Sequence, residues 1–302
     1  MTRLFSLKLS PAVSAGLWML LAAFLFSAMN TIAKSISVVP GPEIPALQIT
    51  FARYVFAVMA VLPMVLIARA PMRTAFPLRY VTRIIASFGG ILLMFLAIRD
   101  IPLAAATGIS FTSPVFTMIC AALFLGEFMG RWRWIGGVLG LAGALIIVVA
   151  SIKAEGGGQR LGDLLTGGSF LALAAAIFMG VEMVLIKRLT DTGDHPLTII
   201  FLSNLTGTVF ALVAVLPVWV WPSWPQAALM VATGTVAVTG QICVLRATSM
   251  TDAAYVAPFF YASLLYAALQ GFVIFGEIPS WGTVIGCLII LSSAGVMMWR
   301  GR

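Results

Sequence analysis

Charged side chains are scarce in this sequence. Asp, Glu, Lys and Arg together make up 9% of its 302 residues, against about 25% in a soluble domain. With 61% of the residues hydrophobic, no water-facing surface can be built over most of the chain, so the solvent must be lipid. Histidine is nearly absent. The single one, His195, falls in a short polar loop after Asp191 and Asp194 and is read as solvated, which leaves no histidine-based relay. The three cysteines, Cys120, Cys243 and Cys287, all fall inside apolar runs. They are too few and too scattered for a disulfide framework or a metal cluster and read as small buried hydrophobes. No HExxH, GxSxG or phosphate-loop pattern is present, so no cofactor and no metal is expected and direct ATP drive is not. Acids are also in short supply, and the formal net charge is +8. In a soluble protein that excess would suggest nucleic acid. Here the bases cluster in short loops between apolar runs, which is a topology signal, and no nucleic-acid partner is expected.

What is abundant is apolar sequence of membrane-spanning length. A bilayer core of about 30 Å needs roughly 20 apolar residues per helix. That length predicts helices over 13–36, 44–68, 80–98, 103–125, 134–152, 164–187, 196–217, 226–245, 253–275 and 280–299. The expected fold class is therefore all-α integral membrane, with ten transmembrane helices. The runs do not alternate as barrel strands would. The first run exceeds a signal-peptide core of about 7–15 residues and is read as a retained helix. Thirteen of the 18 basic residues fall on the side of the N-terminus, four on the other, and Arg53 within a span. The bias predicts both termini in the cytoplasm and an even number of helices. Trp132, Trp134 and Trp299 fall at one predicted membrane boundary, and Trp219, Trp221, Trp224 and Trp281 at the other, as aromatic belts do.

A polar connector rich in glycine, from Lys153 to Arg160, marks a linker over 153–163. It divides the chain into a first half, 1–152, and a second, 164–302. The halves repeat. Gly126-Glu127 and Gly276-Glu277 lie 150 positions apart, as do Gly136 and Gly286. AAFLFSAMNTIAK, ending at Lys34, resembles AAAIFMGVEMVLIK, ending at Lys187. Five helices per half is an odd number, so the second half must enter the membrane inverted, a plan common among secondary transporters.

Ser113-Pro114-Val115 with Gly126-Glu127, and Phe275-Gly276-Glu277 in the second half, carry a resemblance over nearly the whole chain. The sequence resembles the EamA family of the drug/metabolite transporter superfamily. Among its branches it looks most like the bacterial aromatic amino-acid exporters, with a tyrosine-rich ninth helix. The resemblance implies two inverted five-helix repeats, a substrate site between them, and export. One departure stands out. Pro114 precedes Glu127 by thirteen residues, but the position matching it in the second half is Leu264, and Pro258 lies six residues earlier. The two kinks are expected not to be related by the repeat.

Several residues are candidates for chemistry, each with a structural reading beside it. Pro114 and Pro258 remove backbone donors within spans; each is a plain kink or a gating point, and the nearby hydroxyls of Ser110, Thr112 and Ser113 favour a pathway there. Arg53 and Glu182 are charges inside spans, placed about 14 Å from one end and about 9 Å from the other by a 1.5 Å rise per residue. They snorkel or pair structurally, or they serve a substrate carboxylate or proton coupling, and they are within conceivable reach of each other. Asn30, Gln48 and Gln241, with Thr235 and Thr239, either bond helix to helix or face the solute. Tyr255, Tyr261 and Tyr266 on the ninth helix need partners or water for their hydroxyls. At least one of their faces is expected to line the pathway. Glu127 and Glu277 are expected to order the loops into the following helices.

The expected function is a secondary transporter with alternating access. Its substrate-binding set is Arg53, Asn30, Ser110, Glu182, Gln241, Tyr255 and Tyr261, with gating at Pro114 and Pro258. A small neutral or zwitterionic metabolite fits an aromatic-lined site with few charges, most simply an amino acid. Phosphorylated substrates would ask for several basic groups. An exporter of drugs or other metabolites in the same superfamily is the nearest alternative, and an integral-membrane enzyme and a membrane scaffold are the competing classes. The expected location is the cell inner membrane, the expected partners are the small-molecule substrate and the lipid bilayer, and the oligomeric state stays open.

Overall fold

A computed structural model of the protein describes residues 10–101, 103–154, 167–276 and 278–300. Most of the predicted linker, and Glu277, therefore lie outside the described residues. Among the described residues twelve α-helices follow one another: α1 Pro11–Val38, α2 Ala46–Ile67, α3 Pro77–Asp100, α4 Leu103–Ser110, α5 Ser113–Leu125, α6 Arg131–Ala154, α7 Gly167–Thr190, α8 Pro196–Val215, α9 Trp224–Met250, α10 Ala253–Val256, α11 Ala262–Phe275 and α12 Trp281–Arg300. With α4–α5 and α10–α11 each forming one broken pass, they make ten passes, and no strand occurs among the described residues. Nine of the passes are long and apolar enough to cross a bilayer. The other, α3, carries Arg79, Arg83, Arg99 and Asp100 in its sequence. Its 24 residues still reach about 36 Å at 1.5 Å per residue, and it packs against α7 and α8.

The helix ends are set by local chemistry. Proline occupies the first turn of α1, α3 and α8, where its missing N–H costs nothing and its φ is already helical. The Ser10 hydroxyl accepts from Val13 N–H, and His195 Nδ1 accepts from Leu197 N–H. His195, read as solvated, is thus an exposed N-cap. The passes ending at Gly126 and Gly276 close the same way. Both glycines are left-handed, at φ 67° and φ 69°, a conformation that a Cβ penalises.

The repeat is written into the packing. α1 lies on α9 and α3 on α7, pairs that the duplication exchanges. α2 lies on α8 and α6 on α12, pairs that it maps onto themselves. Single contacts repeat as well. Gly90 receives Phe178 and Met179 of α7, and Gly240, 150 positions later, receives Leu25 and Phe26 of α1. Between α6 and α12, a Cβ on Gly143 would come within 2.8 Å of the Gly286 carbonyl oxygen. The matching pair, Ser293 and Gly136, meets there too, with the Ser293 hydroxyl donating to the Gly136 carbonyl at 2.7 Å.

The helix breaks overlap at one end only, in line with the unmatched prolines. The fourth pass breaks at Phe111–Thr112. The ninth runs through a 3-10 segment, Ala257–Tyr261, before α11 begins at Ala262. Adding 150 to the first break gives 261–262. Pro114 and Pro258 start different elements, and the second break opens after Val256, four residues before the position that matches the end of α4. Two of the three hydroxyls around the first break are absorbed by the backbone, while the third, that of Ser113, belongs to a residue lining a cavity within the bundle. Ser110 Oγ donates to the Thr107 carbonyl and Thr112 Oγ1 to the Ile109 carbonyl, both at 2.7 Å. Such bonds satisfy carbonyls that a broken helix would expose to lipid.

Candidate functional site

A cavity of about 580 Å³ lies inside the bundle. α1, α2, α3, α5, α7, α8 and α9 contribute to its wall, with Ala257 and Phe260 from the 3-10 segment. Most of the wall falls on matched positions of the repeat. Lys34 and Lys187 set an offset of 153 between α1 and α7. With it, Phe26, Met29, Asn30 and Ala33 match Met179, Glu182, Met183 and Ile186, and all eight line the cavity. With an offset of 150, Ile49, Thr50 and Arg53 of α2 match Ile199, Ile200 and Ser203 of α8, and all six line it. Arg83 and Ile91 of α3 match Thr233 and Gln241 of α9, again all lining.

The chemistry at these matched positions is not shared. Arg53 faces the cavity where the other half has Ser203, Arg83 where it has Thr233, Glu182 where the first half has Met29, and Gln241 where it has Ile91. Arg83 is only 8% exposed and donates from Nη2 to Glu182 Oε1 at 3.3 Å. Both lie on the side where α1 begins. Arg83 is about 9 Å and Glu182 about 12 Å from their helix ends there, at 1.5 Å per residue. Arg53 lies toward the opposite end, about 10 Å along α2. Its guanidinium stacks over its neighbour Tyr54 at 4.3 Å, and among the described residues no carboxylate pairs with it. The expected approach of Arg53 to Glu182 is therefore replaced by the Arg83–Glu182 pair. A buried charge needs such a partner.

Of the predicted site residues, Asn30, Arg53, Pro114, Glu182 and Gln241 come together on the cavity wall. Ser110, Tyr255, Tyr261 and Pro258 do not. Ser110 turns back on its own helix, as described above. Tyr261 is fully buried, packed into the space above Gly140 of α6. Tyr255 is likewise fully buried, in a cluster with Ala15, Met19 and Phe259. The tyrosine rings fill core, and the expected aromatic face of the pathway is instead a wall of Phe26, Phe260 and the methionines. Gln48 lies outside the wall, accepting from Val220 N–H and donating to the Val220 carbonyl.

Arg83 was missed because it lies near the start of the predicted helix 80–98 and was counted with the basic residues of the N-terminal side; α3 begins earlier, at Pro77, which carries the residue deeper into the pass. A signal was present. Arg83, Ser87 and Ile91 recur at helical spacing and all three line the cavity, as one stripe of a helix does. Glu127 was expected to order its own loop. It acts across the repeat instead, accepting from Ala253 N–H at 2.9 Å and Ala254 N–H at 2.8 Å, and so caps α10. Burial pushes its carboxyl above the ordinary carboxylate range, against the pull of those two N–H groups. Beside it, Arg133 pairs with Asp252 at 2.7 Å.

An arrangement of this kind can hold a flat solute against polarizable methionine and phenylalanine side chains while a few fixed groups select its polar edge. Comparison with known proteins identifies the family. Residues 13–149 and 166–299 each match the EamA-like transporter family. A riboflavin transporter of Vibrio cholerae is 29% identical over 302 residues, covering 98% of this chain and 97% of that one. An S-adenosylmethionine uptake transporter of Rickettsia prowazekii is 26% identical over 275 residues, covering 91% and 88%. Human solute carrier family 35 member G1 is 27% identical over 309 residues, covering 97% and 82%. A solved crystal structure with 22% identity shares the fold, at a TM-score of 0.79 over 94% of this chain and 96% of that one.

Proposed function

The chain belongs to the EamA-like transporter family, and from that premise we propose that it is a secondary transporter of a small heteroaromatic metabolite. The observation that carries the proposal is the cavity of about 580 Å³. Most of its wall comes from matched positions of the two inverted halves, so exchanging the roles of the halves would present one site to either side of the membrane, as alternating access requires. Its volume falls within the range of about 300–1,000 Å³ usual for small-molecule sites. Relatives are named for riboflavin and S-adenosylmethionine, each a planar ring system with a polar chain. The sulfur- and phenyl-lined wall suits the ring, and Arg53, Glu182, Asn30 and Gln241 suit the chain. Those names are not amino-acid exporters, so an amino acid stands as the second reading. The presence of both signs of charge on the wall, Arg53 and Glu182, favours it, since a zwitterion asks for both.

On this reading the broken passes at Pro114 and Pro258 are the gating points, and the two repeats are the moving bodies, 1–152 and 164–302 joined by the 153–163 linker. The excess of bases toward the N-terminal side supports an inner-membrane location with both termini cytoplasmic. The membrane-enzyme and scaffold readings predict no solute flux. The test is counterflow of labelled riboflavin, S-adenosylmethionine and a panel of amino acids in liposomes holding the purified protein. Saturable counterflow of at least one is expected, and its absence for all of them sinks the proposal. Arg53→Ala is expected to lower that flux at least about tenfold, which is about 1.4 kcal/mol. Its thermal unfolding should stay near wild type, because only a stacking contact with Tyr54 is lost. Wild-type flux in that variant removes Arg53 from the site.

A further inference from the structure

Behind Gln241 stands a second amide that the cavity does not reach. Asn204 of α8 is 1% exposed. Its Nδ2 donates to the Ile200 carbonyl at 2.8 Å and to Gln241 Oε1 at 2.7 Å. The Ile200 carbonyl can only accept, which fixes Nδ2, not Oδ1, on that side. Both Nδ2 hydrogens are then spent, and the second goes to Gln241. Asn204 Oδ1 has no partner, so this orientation holds at the expense of an orphaned acceptor. The consequence falls on Gln241. Its Oε1 is occupied inside the protein, and its Nε2 hydrogens remain for the cavity that Gln241 lines.

We infer that Asn204 is a positioning residue that holds the Gln241 amide as a pure donor, so that the site selects a solute presenting a hydrogen-bond acceptor, a ring nitrogen or a carbonyl or carboxylate oxygen, to the α9 wall. The duplication sharpens the point. The position matching Gln241 is Ile91, and the one matching Asn204 is Tyr54, whose ring stacks on Phe88. The amide relay therefore exists in one half only, and the solute is gripped by its acceptor edge on the second-half side. A site built around a donor rejects an analogue lacking the acceptor more strongly than apolar walls reject a change of size, because the buried donor is left unpaired.

The inference rests on the transporter reading, and the experiment separates the two. Binding and counterflow are measured with three probe pairs that each differ at an acceptor: riboflavin and 5-deazariboflavin, adenosine and 7-deazaadenosine, tryptophan and tryptamine. Wild type is expected to prefer the acceptor-bearing member of at least one pair by tenfold or more. Gln241→Glu keeps the bond from Asn204 but turns the cavity-facing amide into an acceptor, and should abolish or reverse that preference. Asn204→Leu frees the Gln241 amide to rotate and should reduce the preference several-fold, a selectivity change that mere loosening of the helix would not produce. A preference unchanged in Gln241→Glu overturns the donor assignment. A preference lost in Gln241→Glu but intact in Asn204→Leu overturns the positioning role. No binding of any probe by wild type sinks the transporter reading and this inference with it.

Discussion

Two seams of the bundle occupy matched positions and are built from opposite materials. Where α1 meets α11, Ser27 Oγ and Thr31 Oγ1 both donate to Gln270 Oε1, at 3.0 and 2.7 Å, and Lys34 Nζ lies over the Phe275 ring at 4.5 Å. Where α7 meets α5, the residues at the same places are Gly180, Val184 and Cys120. There Gly180 packs on Phe116 and Thr117, and Cys120 shares an apolar cluster with Val184. Three polar groups stand against three small apolar ones. The cavity repeats the lesson at Arg53 and Ser203, Arg83 and Thr233, and Glu182 and Met29. Backbone approach is what the duplication preserved, since a helix crossing tolerates few changes. Side chains facing the cavity or sealing one end were free to diverge, because they are not held by a close helix crossing.

The comparison breaks most visibly at Arg83 and Glu182, whose matches Thr233 and Met29 carry no charge. Arg83→Met leaves the Glu182 charge uncompensated within the bundle. The expected cost is about 3–5 kcal/mol, read as a lower unfolding temperature, with flux lost. Adding Glu182→Met removes the stranded charge and makes this half resemble the other. Stability should return while flux does not. Flux recovered in the double variant would show the pair to be structural, and the charge asymmetry of the cavity would then say nothing about the solute.

A smaller effect tests what the duplication preserved. A Cβ on Gly286 would come within 2.6 Å of the Gly143 carbonyl oxygen, so Gly286→Ala must spread α6 from α12. About 1–3 kcal/mol is expected, the usual cost of overpacking. At the matched crossing, Ser293→Ala loses only its bond to the Gly136 carbonyl, worth about 1 kcal/mol. Equal losses in chemical denaturation would mean that the two crossings are not packed alike.

Much of this plan can be read in the sequence, for a physical reason. Spans and repeats leave periodic traces, because lipid demands about 20 apolar residues per pass and close crossings demand glycine at fixed positions such as Gly136 and Gly286. The cavity was half legible. Asn30, Arg53, Glu182 and Gln241 stood out because a polar group in an apolar run must face something. Direction was not legible. Tyr255 and Tyr261 bring hydroxyls into a span yet turn into core, and Ser110 spends its hydroxyl on its own turn. A residue's type shows that it needs a partner, and only the packing shows which one. Arg83 failed in the opposite sense. It lies close enough to a helix end to pass for a loop charge, and only its stripe with Ser87 and Ile91 gives it away.

The smallest expected effect decides whether the seams differ in kind. Gln270→Leu deletes the shared acceptor of the α1–α11 seam. The Ser27 and Thr31 hydroxyls can then turn to carbonyls of their own helix, as Ser35 already does toward Thr31 at 3.0 Å, so the loss stays near the 0.6–2 kcal/mol typical of bonds between membrane helices, about a 3- to 30-fold change in an equilibrium. If those bonds hold the seam shut, the change appears as opening. The readout is labelling by a membrane-impermeant maleimide of a cysteine placed by Ala33→Cys, at a position that lines the cavity on α1. Cys120, Cys243 and Cys287 are buried, which keeps the background low. Labelling should quicken by about 3- to 30-fold in Gln270→Leu. It should not change in Val184→Ala, which loosens only the apolar seam between α5 and α7. Faster labelling in both variants would mean that the bundle loosens as a whole, and no change in either would mean that the polar seam is closed by packing, as its apolar counterpart is.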